Sequence, residues 1–158
     1  MSRQPVSKHK FKVTTIGAVE VELIQGSAAK VLKALSSRPN WDALQVLPDV
    51  EPGLDGHWQF PRLSASWLEG RGYEVQCYES AQSDSDFLVT SPELSEPEVY
   101  VELGGQTQEL WPRQLFVPYE LAERALTFFL QNGSEDPALH WIGIGEFPRR
   151  TVRPRRTI

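Results

Sequence analysis

The stretch VPYELAERALTFFLQNGSEDPALHWI, from Val117 to Ile142, constrains the fold of this chain more than any other. Its apolar pattern changes from helical to extended across one stop signal. Pro118 suits the first turn of a helix, where a missing N–H costs nothing. Leu121, Ala125, Phe128 and Phe129 recur at helical spacing, and Ala122 and Leu126 widen the same face. Asn132 and Gly133 tolerate the left-handed conformation that ends a helix. ALHWIGIG then alternates as a strand does, with His140, Ile142 and Ile144 on one side and Leu139 and Trp141 on the other. A helix returned to a strand through so short a loop must lie against the sheet that strand joins.

The rest of the chain supplies that sheet. FKVTTIG (11–17) and VEVELI (19–24) alternate and predict two strands turning near Gly17. SAAKVLKALSS predicts a helix capped by Ser27, with Ala28, Val31, Leu32 and Leu35 on one face and Pro39 beyond its end. Residues 40–70 hold Trp41, Trp58 and Trp67 among Pro and Gly breaks without a sustained period. They read as a loop-rich insertion with a short strand or helical turn at either side. GYEVQCYES (72–80) is a strand with Tyr73, Val75 and Cys77 on one face, and DFLVTS (86–91) follows a polar turn. PEVYVELGGQTQELWP is a hairpin, with Val99, Val101 and Leu103 on one face and Gly104-Gly105 at its turn. The expected fold class is therefore α+β, a mostly antiparallel sheet with about two helices packed on one face.

At 158 residues the chain is of single-domain size, with 40% hydrophobic residues to build a core. It divides into a basic N-terminal arm (1–12), one α+β domain (13–145) and an Arg-rich tail (146–158). The arm has four bases and no acid, and the tail has five arginines against Glu146. The net charge of −5 thus becomes −13 over residues 13–145. Residues 51–110 alone hold 12 acids against Arg62 and Arg71. A surface of that sign steers basic partners toward it and repels nucleic acid. The tail reads as a dangling charged terminus, with a terminal strand of alternating arginines or a phosphate-contacting segment as the alternatives. No apolar run approaches the roughly 18 residues that span a bilayer. The first residues lack the apolar stretch of a secretory signal, and the lone Cys77 suits a reducing compartment. The expected location is cytoplasmic.

Catalytic patterns are absent from the linear sequence. His9, His57 and His140 share no metal-ligand spacing, and Cys77 has no companion cysteine. Cys77 falls inside a strand rather than at a helix N-terminus, where its pKa would drop, so it reads as a small hydrophobe. GSAAK (26–30) lacks the spaced glycines of a phosphate-binding loop. Nothing in the spacing selects a general acid or base. The chain is accordingly expected to be no enzyme and to need no cofactor or metal.

Over residues 99–142 the sequence resembles the C-terminal half of family one of the polymorphic-toxin immunity proteins. The matching residues are Pro118 at the helix start, Ala125, the F-x-x-x-G stop of Phe129 and Gly133, and the P-x-x-x-W strand of Pro137 and Trp141. The match covers under a third of the chain. The resemblance implies a small cytoplasmic protein that binds and neutralises a cognate toxin domain. Toxins paired with that family include nucleic-acid deaminases and nucleases, and the family has no catalytic residues to carry over. A toxin acting on nucleic acid is basic around its active site, so an acidic, Trp-bearing surface is the expected contact. Asp55, Trp58, Glu74, Glu79, Asp84 and Asp86 are its expected residues. The competing readings are an effector adaptor or chaperone of a secretion system and a small enzyme that reverses a toxin's modification.

Overall fold

The computed structural model describes residues 11–16, 21–24, 28–37, 43–48, 60–80, 83–103 and 107–152. Strands β1 (Phe11–Ile16) and β2 (Val21–Ile24) precede helix α1 (Ala28–Ser37). Then come β3 (Ala43–Pro48), β4 (Arg62–Leu68), β5 (Gly72–Tyr78) and β6 (Asp86–Val89). The hairpin β7 (Val99–Leu103) and β8 (Thr107–Trp111) leads to α2 (Tyr119–Asn132), β9 (His140–Gly143) and β10 (Arg150–Val152). Seven strands form one sheet in the order β2-β1-β3-β4-β5-β6-β9, and β10-β8-β7 form a second. Every strand pairing described is antiparallel. The molecule is an α+β fold with both helices on one face of the large sheet, as the alternation predicts.

Strand parity explains the layering. Val13, Leu44, Val46, Leu63, Ala65, Tyr73, Val75 and Cys77 alternate along their strands and are buried together with Val31 and Leu35 of α1 and Ala122, Ala125, Leu126 and Phe129 of α2. The Tyr73 hydroxyl donates to the Leu35 carbonyl at 2.6 Å, tying α1 to the centre of the sheet. Strand β6 behaves differently, because Phe87, Leu88 and Val89 are all buried. Leu88 joins the core under the helices, whereas Phe87 and Val89 join a second core with Val99, Trp111, Leu115 and Phe147. The unbroken apolar run of DFLV thus marks the strand covered on both sides. There the small sheet packs on the face of the large sheet that the helices leave open.

Several expectations are corrected. The 40–70 stretch has a strand at either side, as expected, but β3 and β4 are inner strands of the large sheet rather than the margins of an insertion, and residues 49–59 between them lie outside the described residues. The second sheet was not foreseen, since strand patterns in sequence do not say which strands share a sheet. Ala28 is exposed on α1, and the buried stripe of α2 centres on Ala122, Ala125, Leu126 and Phe129, with Leu121 and Phe128 at its margins. The described part of the Arg-rich tail does not dangle. Phe147 is buried in the second core, and Arg150, Thr151 and Val152 pair with Leu110, Glu109 and Gln108. Trp67 packs against the main core, while Trp41, Trp58, His9, His57, Asp55 and the Gly104-Gly105 turn lie outside the described residues. Among the described residues no helix is long and apolar enough to cross a membrane.

Candidate functional site

At the C-terminal end of α2, a cavity of about 410 Å³ opens on the helix side of the large sheet. Its floor is Cys77 and Pro61, and its rim carries Glu79, Asp84, Asp86 and Glu135. Parity and register bring these together. Cys77 pairs with Asp86 across β5 and β6, so both side chains leave the sheet on the same face, and Glu79 shares the parity of Cys77. A serine-linked turn between the strands sets Asp84: the Ser80 and Ser83 hydroxyls lie 2.8 Å apart, and the Ser83 N–H donates to the Ser80 hydroxyl at 3.2 Å.

Glu135 is delivered by the end of α2. Gly133 sits at φ 71°, ψ 22°, and its N–H donates to the Phe129 carbonyl, closing the helix in the left-handed conformation its sequence predicts. The buried Asp136 then locks the loop. Its carboxylate accepts from the Ala138 N–H at 2.9 Å and from Arg124 Nε at 3.2 Å, and its carbonyl accepts from the Trp141 indole at 2.9 Å. Between the held Gly133 and Asp136, Glu135 lies at the cavity beside the Asp86 carboxylate.

The electrostatics of the cavity are one-sided. Among its described lining residues there are four acids and no base, and the C-terminal end of α2 adds the negative pole of its dipole. Burial, the hydrogen bond to Asp86 and the charges of Asp86 and Glu79 push the Glu135 carboxyl up to about 7. Burial, reinforced by Glu135, Asp86 and Glu79, pushes the Cys77 thiol up to about 12. A thiol so disfavoured as thiolate is a poor nucleophile at neutral pH. Among the described residues no three His, Cys, Asp or Glu side chains are grouped to hold a metal ion.

Of the sequence-predicted residues, Glu79, Asp84 and Asp86 meet in this cavity. Asp55 and Trp58 lie outside the described residues. Glu74 is separated from the others, because its parity on β5 turns it to the opposite face of the sheet. There it accepts a hydrogen bond from Gln76 Nε2, and Gln76 Oε1 accepts from the Tyr78 hydroxyl at 2.7 Å. The Arg62 guanidinium lies 4.5 Å from the centre of the Tyr78 ring. Burial pushes the Glu74 carboxyl up to about 7 against the opposing pull of the Gln76 hydrogen bond. Sequence reasoning missed Glu135; its signal was an acidic pair placed directly after the helix stop.

The two raised carboxyls make stability pH-dependent. Glu74 and Glu135 each have a native pKa near 7 against an ordinary value of 4.5, so between those limits the native state holds more protons than the unfolded state. Stability therefore falls as pH rises from about 5 to about 7.5 and levels off above. Urea denaturation across that range is expected to show the slope, and Glu74→Gln combined with Glu135→Gln is expected to flatten it. A slope unchanged in the double variant would assign the effect to other groups.

No family model, curated protein or solved structure matches the chain.

Proposed function

We propose that this protein is an immunity protein, which binds a basic toxin domain stoichiometrically and takes a lysine or arginine side chain of that partner into the acidic cavity. The observation that carries the reading is the convergence of Glu79, Asp84, Asp86 and Glu135, from four positions in the chain, on one cavity with no base among its described lining residues. A surface of this sign accelerates encounter with a basic partner and fixes its register. The resemblance of residues 99–142 to family one of the polymorphic-toxin immunity proteins agrees with it. In this reading inhibition needs no chemistry from the protein. The acids hold a cationic group of the toxin away from its own substrate, and the protein remains cytoplasmic beside the target it protects.

A specific observation favours a second reading. The Glu135 carboxyl sits in the cavity beside Asp86, and burial and its acidic neighbours push it up to about 7, a range that suits a general acid or base. A small enzyme that reverses a toxin's modification would use such a group.

One titration separates the two. The reading expects a toxin domain to be encoded next to this protein; that domain is mixed with increasing amounts of the protein, and residual toxicity and complex formation are followed. The expected result is a complex that protects fully only at equimolar ratio. Asp84→Lys with Asp86→Lys is expected to weaken it by about tenfold or more, since a like charge then opposes the partner's. Protection at a small fraction of equimolar would favour the enzyme. Absence of any complex at micromolar concentration would sink the binding reading, and binding outside the toxic domain without protection would make the protein an adaptor.

A further inference from the structure

A second concavity, of about 390 Å³, lies at the other end of α2. It forms because β5 and the chain entering α2 are pinned together. Tyr73 N–H donates to the Val117 carbonyl at 2.9 Å, and Val117 N–H donates to the Tyr73 carbonyl at 2.8 Å. Its walls are the half-buried rings of Trp67 and Tyr119, which pack on the buried ring of Tyr73 beneath them, Trp67 edge-on at 4.9 Å and Tyr119 at 6.2 Å. The polar tips of two rings are engaged: the Tyr73 hydroxyl with the Leu35 carbonyl, and the Tyr119 hydroxyl with Glu123 and Ser36. The cleft therefore offers mainly ring surface.

Its polar end has the opposite sign to the first cavity. Arg71, at the tip of the β4–β5 hairpin, is the one formal charge among the described lining residues and forms no ion pair with another described residue. Helix α2 opens beside it on Pro118, which is extended and provides no side-chain cap; the Leu121 and Ala122 N–H groups turn back to the Pro118 carbonyl, which leaves those of Tyr119 and Glu120 for an outside acceptor. Charge complementarity thus selects an anionic, apolar occupant. The cleft is shallow, whereas a small molecule needs a pocket that encloses most of its surface. A residue carried by a polypeptide needs no such enclosure, because the rest of its chain covers it. Glu69 and Glu120 flank the cleft in sequence and disfavour a segment with several acids. A single carboxylate directly attached to an apolar residue satisfies all of these conditions.

We propose that this cleft binds the C-terminal residue of a partner polypeptide. Its large apolar side chain lies against Trp67 and Tyr119, and its terminal carboxylate meets Arg71 and the Tyr119 and Glu120 N–H groups at the start of α2. The site is independent of the acidic cavity, which lies at the opposite end of the same helix.

The test uses the full chain, labelled with ¹⁵N, and two probes: N-acetyl-glycyl-phenylalanine as the free acid and as its C-terminal amide. The acid is expected to shift the amide signals of Gly70, Arg71, Gly72, Tyr119 and Glu120 saturably, with a millimolar dissociation constant. Blocking the carboxylate, or replacing the exposed Arg71 by Gln, is expected to weaken binding about fivefold or more, as loss of a charge-assisted bidentate contact should. Arg71→Gln leaves the packed walls intact, so its folded spectrum serves as the control. Equal shifts from acid and amide, binding unaffected by Arg71→Gln, or no shift at about 10 mM acid, near the weak end of measurable affinity, would each overturn the proposal.

Discussion

Gly72→Ala is expected to destabilise the protein by about 3 kcal/mol or more, a large share of the roughly 5–15 kcal/mol that holds a domain of this size together. Gly72 has φ +121°, and a Cβ built there would sit 2.6 Å from the Val117 carbonyl oxygen. The clash is with backbone that is itself fixed by the paired hydrogen bonds between Tyr73 and Val117, so neither side yields without breaking the bridge. Nearby Gly70 is an internal control. Its φ is +75°, yet a Cβ there meets nothing within 4 Å. Gly70→Ala should therefore lose only the conformational term, roughly 1–2 kcal/mol. Urea denaturation of the two variants checks the ordering, and equal losses would refute the steric account of Gly72.

Phe129→Ala is expected to cost about 3–5 kcal/mol, the range for deleting a fully buried aromatic ring. Phe129 has 0% of its surface exposed and lies 5.1 Å from the ring of Phe11, so it joins α2 to β1 near the far side of the sheet. The cavity left behind is walled by strands and helix that cannot collapse independently. Its neighbour Phe128 is only half-buried, and Phe128→Ala should cost clearly less. A comparable loss at both positions would mean that the buried stripe of α2 has been assigned one residue out of phase. The Gly133 N–H that ends the helix bonds the Phe129 backbone carbonyl, which the alanine variant retains, so the loss is one of ring packing and not of the helix stop.

The candidate site was legible in part. Glu79, Asp84 and Asp86 could be singled out because acids crowd residues 51–110. Glu74 belonged to the same crowd, yet one step of strand parity carries it through the sheet to a different environment. Glu135 lay in a segment whose pattern pointed to scaffold. That segment is scaffold, and its stop also delivers the fourth carboxylate of the cavity. Charge density along a chain does not report which charges share a face, because that depends on register between strands distant in sequence.

By itself the sequence determined what is local. The start of α2 at Pro118, its left-handed stop at Gly133, the inward faces of β5 and β9 and the hairpin pairing of β7 with β8 all follow from residues within a few positions of one another. Only the tertiary structure decided the strand order, the division into two sheets and the burial of β6 on both faces. It alone brought the end of α2 over Cys77 and Asp86. The reason is physical: periodicity tells a strand which of its side chains share a face, but what covers that face is set by contacts that exist only once the whole chain has closed.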